Sequence, residues 1–211
     1  MKYELAIFDF DGTLGDTGAW MFTAINRAAT QFGFPQTTVA EIEALRSLPT
    51  REIVRRLGIP FWKLPRIAMY LRRLASENDG AMPLFPGTIP MLEQLAKNGI
   101  RLAIVSSNSE VNIRKALGAE SAGMISHYEC GASMFGKAAK FRRVVEHSGV
   151  AAAHAIAIGD ESRDIDAAKE AGIAAGAVFW GYATATLLQS CEPTEIFAEF
   201  EEIPRCLLDH E

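Results

Sequence analysis

Short apolar runs recur along the chain and each one ends on small or acidic polar residues. Leu5 to Phe8 stops at Asp9, Arg101 to Val105 stops at Ser106, and His154 to Ile158 stops at Gly159 and Asp160. Unbroken apolar runs of this length, bounded by turn residues, predict buried strands. A fifth strand is expected at Ala177 to Phe179 and a weaker third one at His127 to Gly131. Between these runs the apolar residues change to helical spacing. Trp20, Met21, Ala24, Ile25, Ala28 and Ala29 predict a helix within residues 16–33, and Val39, Ile42 and Leu45 mark a short segment. Further helices are predicted from Arg51 to Leu57, over residues 62–78, from Pro86 to Gly99, from Ser109 toward Leu117, from Ala138 to His147 and from Ile165 to Ala171. The last stretch, Glu195 to Leu208, is weakly patterned and fits a short edge element and a terminal helix.

Repeated strand and helix units predict a mostly parallel α/β sheet. Residues 16–80 carry no strand pattern, so the expected organisation is a doubly wound core from residues 1–15 and 81–211 with an inserted all-helical cap domain. The Pro- and Gly-rich stretch Ala81 to Pro90 marks its far boundary. In sheets of this kind ligands bind outside the carboxyl ends of the strands.

Composition narrows the function classes. With 211 residues, 49% hydrophobic and 22% charged, the chain is long enough and apolar enough for a sizeable core. A net charge of -5 argues against a nucleic-acid binder. Cys130, Cys191 and Cys206 lack metal-ligand spacing and read as reduced thiols, which suits a cytoplasmic protein. No run approaches about 18 apolar residues, so no membrane span is expected, and the N-terminus does not read as a targeting peptide. Oligomeric state is not encoded in any of these patterns.

The candidate chemistry lies where the strands stop. Asp9 and Asp11 are two apart, so in an extended chain they project to one side, and Gly12 allows a turn directly after them. Two carboxylates gathered at a buried strand end are costly unless a cation or a shared proton relieves them. Ser106, Ser107 and Asn108 join a strand to a helix start, which is either a plain N-cap or a cradle for an anion. Lys137 sits at a loop-to-helix junction and is preferred to Lys140 as an anion-binding lysine. Asp160 ends another strand, and Asp164 falls in the first turn of the next helix. From Arg46 to Arg73 the insert holds eight Lys or Arg against one acid, Glu52. That run is either a solvated helix face or, through Arg46, Arg51, Arg55 and Arg56, an attraction for an anionic substrate. His127, His147, His154 and His210 match none of these positions and read as structural or exposed.

Taken together, DFDGTL at 9–14, the strand ending at Ser106, Lys137, and GDESRDI at 159–165 resemble the four motifs of the haloacid dehalogenase superfamily, over residues 4–179. The helical insert directly after the first motif is similar to the cap of the phosphoglycolate phosphatase and β-phosphoglucomutase branch. The resemblance implies a Mg²⁺-dependent phosphatase acting on a small phosphorylated metabolite, a phosphoglycolate-like monoester, through an aspartyl phosphate; a phosphomutase of the same fold is the alternative. Asp9 would be the nucleophile, and Asp11 the acid and base. Mg²⁺ would be held by Asp9, Asp160 and the main-chain carbonyl of Asp11, with Asp164 as a further ligand or orienting them from behind. Ser106 or Ser107, together with Lys137, would bind the phosphoryl oxygens. An acid at position 11 argues for phosphoryl transfer over dehalogenation, whose alkyl-ester chemistry needs none. Leu48-Pro49 replaces the small, flexible specificity loop such a cap would carry.

Overall fold

The structure, a computed structural model, describes residues 1–77, 82–131 and 136–209. The elements in chain order are β1 (Leu5–Phe8), α1 (Gly18–Phe32), α2 (Val39–Leu45), α3 (Thr50–Arg56), α4 (Leu64–Ser76), α5 (Thr88–Lys97), β2 (Arg101–Val105), α6 (Glu110–Met124), β3 (Ile125–Glu129), α7 (Lys137–Ser148), β4 (Ala155–Gly159), α8 (Ser162–Ala171), β5 (Ala174–Val178), α9 (Ala185–Ser190), β6 (Glu195–Phe197) and α10 (Glu202–Leu208). The strands form one sheet, all parallel, in the order β3-β2-β1-β4-β5-β6.

All four residues of β1 are buried because successive side chains point to opposite faces, and both faces are covered. Ala6 and Phe8 join the cluster built with Leu92 and Leu95 of α5, Ile113 of α6 and Leu207 of α10. Leu5 and Ile7 join the other, built with Phe141 and Val144 of α7 and Ile165 and Ala168 of α8. Winding runs outward from β1 toward β3 on one side and through β4 toward β6 on the other. The strand order therefore reverses between β1 and β4, which is where a ligand crevice is expected.

Helices α1 to α4 gather around a separate apolar cluster that includes Ala28, Phe34, Leu45, Val54, Leu57 and Ile67. Gly33 ends α1 in the left-handed conformation, and Thr38 with Glu41 forms a reciprocal capping box at the start of α2. The helix predicted over 62–78 is α4; Pro65 falls in its first turn, where a missing N–H is tolerated. The expected boundary at residues 80 and 81 lies outside the described residues, as do Met134, Phe135 and His210.

Three elements differ from expectation. β5 begins at Ala174, three residues before the predicted start, and α9 has no counterpart in the sequence reading. β3 begins at Ile125, directly after α6, which is broken at Gly118 by a backbone of φ 75°. Among the described residues no helix is long and apolar enough to cross a membrane.

Candidate active site

After β1 the chain leaves the sheet at Asp9, which is 5% exposed and whose N–H donates to the Ile158 carbonyl of β4 at 2.9 Å. Asp9 Oδ1 accepts the N–H of Phe10 at 2.8 Å. The Phe10 carbonyl then accepts from the N–H groups of Thr13, Leu14 and Gly15, folding DFDGTL into a tight turn. Within that turn Gly12 has φ +80°, and a Cβ there would stand 2.3 Å from Asp160 Oδ2. Gly12→Ala is expected to lose about 1–2 kcal/mol for the left-handed backbone alone, and more once Asp160 is displaced; urea denaturation measures it.

From β4, Asp160 comes to the same place, fully buried. Thr13 Oγ1 donates to its Oδ1 at 2.8 Å and the Tyr182 N–H to its Oδ2 at 2.7 Å. Asp164, in the first turn of α8, accepts the Glu161 N–H at 3.1 Å and the Lys137 Nζ at 2.5 Å. Lys137 opens α7 after Gly136, is 6% exposed, and also meets Asp9 Oδ2 at 2.8 Å. Asp9, Asp160 and Asp164 each offer an oxygen within 4.8 Å of the others. Scattered in sequence, these four side chains are gathered by the strand order.

The electrostatics of the cluster follow from burial. Asp160 is pushed well above the usual carboxylate range by burial first and then by Glu161, Asp164 and Asp9. Lys137 is held above the ordinary lysine value; burial works against its charge, but Asp164 and Asp9 outweigh it. Asp11 is pushed up to about 7, by burial and then by the charge of Asp9. Its carboxylate is half-buried beside the cluster, and Asn108 Nδ2 donates to both of its oxygens at 3.2 Å. An acid poised near neutrality beside a buried carboxylate suits proton transfer to and from a reacting oxygen.

The three clustered acids form a hard, oxygen-only donor set, and each depends on a cation to relieve its neighbours. That chemistry fits Mg²⁺, which takes carboxylates plus ligand and water oxygens. The Asp11 carboxylate is not one of the trio.

Ser106 is 1% exposed, and its Oγ accepts the Asn108 N–H at 3.1 Å. Ser107 is half-buried and, with Asn108 and Asp11, lines the cavity above the strand ends. Lys140 donates to the Glu129 carbonyl at 2.8 Å and takes no part in the acid cluster. Among the basic residues of the insert, Arg46 lines the cavity and donates from Nε to the Tyr182 carbonyl at 2.9 Å. Arg51, Arg55 and Arg56 are exposed on α3 and are not part of the cavity wall; Arg55 pairs with Glu52 at 2.6 Å. His147 and His154 are exposed, and His147 stacks with His127.

Several site residues were not singled out from the sequence. Thr13 and Tyr182 hold Asp160, and Arg72 and Arg163 line the cavity, while Asn108, expected only as part of a cap or an anion cradle, holds Asp11. Asn108 had a signal in the polar run after β2. Tyr182 contributes through its backbone N–H, which no residue type announces.

A family model described as haloacid dehalogenase-like hydrolase matches residues 6–178. The chain is 34% identical over 180 residues to a phosphoglycolate phosphatase of Synechococcus elongatus, covering 85% of each chain. In fold it resembles a haloacid dehalogenase-like family hydrolase of Streptococcus pneumoniae, with a TM-score of 0.78, 21% identity and 97% and 98% of the two chains covered. It also resembles CbbY of Rhodobacter sphaeroides, solved in complex with xylulose 1,5-bisphosphate, with a TM-score of 0.69, 21% identity and coverage of 95% and 96%.

Proposed function

The chain belongs to the haloacid dehalogenase-like hydrolases, and from that premise we propose that it is a phosphatase that hydrolyses a small phosphate monoester with Mg²⁺. The observation that carries the reading is the meeting of Asp9, Asp160 and Asp164 within 4.8 Å at the ends of β1 and β4, with Lys137 against two of them. A phosphoglycolate phosphatase among the relatives and a sugar bisphosphate in the CbbY complex are in keeping with a small phosphorylated substrate.

In this reading Asp9 attacks phosphorus with a carboxylate oxygen while the bond to the leaving alcohol loosens, giving an aspartyl phosphate. Asp11 gives its proton to the departing oxygen, then takes one from the water that cleaves the acyl phosphate. Its raised pKa supports the first half of that duty, and Asn108 keeps it aimed. Lys137, Ser106 and Ser107 hold the phosphoryl oxygens. Bound at Asp9, Asp160 and the Asp11 carbonyl, with Asp164 adjoining, Mg²⁺ would neutralise charge on the transferring group. The helical unit, residues 16–80 in the sequence reading, serves as a cap over the strand ends.

The test is free phosphate released from 2-phosphoglycolate and other metabolite monoesters with Mg²⁺. Release that stops in EDTA is the expected result. Isomerised sugar phosphate without phosphate release would transfer the assignment to a mutase. Asp11→Asn is expected to lower kcat/KM, which reports the step in which the alcohol leaves, by about 10²–10⁴-fold on alkyl esters and by less on aryl esters, whose leaving groups need no proton. An equal loss on both would remove Asp11 as the acid.

A further inference from the structure

The cavity over the strand ends has a volume of about 520 Å³ and two unlike halves. Its floor is polar, with Asp11, Ser107, Asn108 and Arg163 from the strand ends and Arg72 from α4. Its vault is formed by apolar residues of the helical unit, among them Leu45, Val54, Leu64, Ile67 and Leu71. The direction of α4 fixes this polarity. Ser76, one turn beyond Arg72, bonds Asn112 of α6 at 3.3 Å, so that end lies against the sheet core, while Leu64 and Ile67 belong to the helical unit's own cluster.

At about 520 Å³ for floor and vault together, the cavity is a cleft of ligand-binding size. It is also too large for the leaving group of a two-carbon acid. Even with its phosphate, a two-carbon acid takes roughly 200 Å³, on a scale of about 30 Å³ per water, and would leave more than half of the 520 Å³ unfilled. The apolar part of the cavity reaches Asp11 and Ser107, so a group held there lies beside the acid that would protonate its oxygen.

Resting on the phosphatase reading above, we propose that the preferred substrate is the phosphate monoester of a long apolar alcohol, its phosphate on the floor and its hydrocarbon body in the vault. The leaving alcohol departs upward with the proton from Asp11, and phosphate is later released from Asp9. Specificity then resides in apolar contact from α1 to α4 and not in the exposed arginines of α3.

The experiment is a series of n-alkyl phosphates from ethyl to octyl with Mg²⁺, alongside 2-phosphoglycolate, reading kcat/KM by phosphate release. Leaving-group basicity is nearly constant in this series, so length is the only variable. The value is expected to rise about fourfold per methylene while the vault fills, roughly 250-fold from ethyl to hexyl. A flat or falling series with good turnover of 2-phosphoglycolate overturns the inference and leaves the phosphatase reading standing. Absence of turnover on every ester overturns both. Ala68→Phe narrows the vault and is expected to bring the hexyl-to-ethyl ratio down to within about tenfold. If circular dichroism shows that variant to be unfolded, Ile53→Phe replaces it, and an unchanged ratio in a folded variant places the alkyl chain elsewhere and overturns the proposal.

Discussion

Asp9→Asn is expected to abolish phosphate release, a loss on the order of 10⁶-fold by comparison with a serine protease stripped of its nucleophile, while the protein stays folded. The amide keeps an oxygen to accept the Phe10 N–H, now at 2.8 Å, so the turn after β1 survives. It loses the pair with Lys137, but Lys137 keeps Asp164 at 2.5 Å. Removing the Asp9 charge also eases Asp11 and Asp160, both of which it pushes upward. These terms oppose one another, so the melting temperature should move by only about 3 °C, the equivalent of roughly 1 kcal/mol for a chain of this size. A melt by circular dichroism and a phosphate assay on the same sample separate the two effects. Residual activity above a per cent or so in a folded variant would mean that another group attacks phosphorus.

The parts of this protein that could be read from its sequence are those where one physical demand decides the residue. β1 and β4 are buried on both faces, which forces continuous apolar runs, and their ends are marked by acids that nothing in a core would choose. β5 is the opposite case. Its sequence, Ala174 to Val178, lacks a branched or aromatic residue until its end, and Gly176 is there because a Cβ would meet Phe197 at 2.9 Å and Ile158 at 3.0 Å. That is a tertiary requirement and leaves no periodic signal. With six residues, α9 is too short for a helical period to show.

The same distinction runs through the site. Asp9, Asp160, Asp164 and Lys137 carry charges whose burial needs a reason, so they stand out before any coordinates exist. The vault does not stand out. Val54 and Ile67 are spaced as core residues are, and a helix facing a cavity has the same apolar face as one facing a packed neighbour. The basic run of the insert leaves two readings open for a related reason, because charge in sequence does not say which way a helix is turned. Only Arg46, just past the end of α2, and Arg72 of α4 reach the cavity wall from that run.

Lys137→Met is expected to cost both stability and turnover, and the two losses should respond differently to Mg²⁺. Lys137 is 6% exposed and touches Asp9 at 2.8 Å and Asp164 at 2.5 Å, so its removal leaves two of the three clustered acids without the ammonium they share. Stripping one partner from a buried ion pair costs about 3–5 kcal/mol, or roughly 6–20 °C in melting temperature at this size, measured in EDTA. Met fills a similar volume, so the loss reports charge more than packing. A divalent cation that binds only the folded acids stabilises by mass action, and it should do so more in the variant, where no ammonium competes for the same oxygens. Mg²⁺ is therefore expected to restore much of the melting temperature and little of the rate, since the ammonium is also what steadies the phosphoryl oxygens in the transition state. An equal Mg²⁺ shift in both proteins would show that the ion binds away from Asp9 and Asp164. Full recovery of turnover would show that Lys137 balances charge in the resting site and takes no part in the transfer.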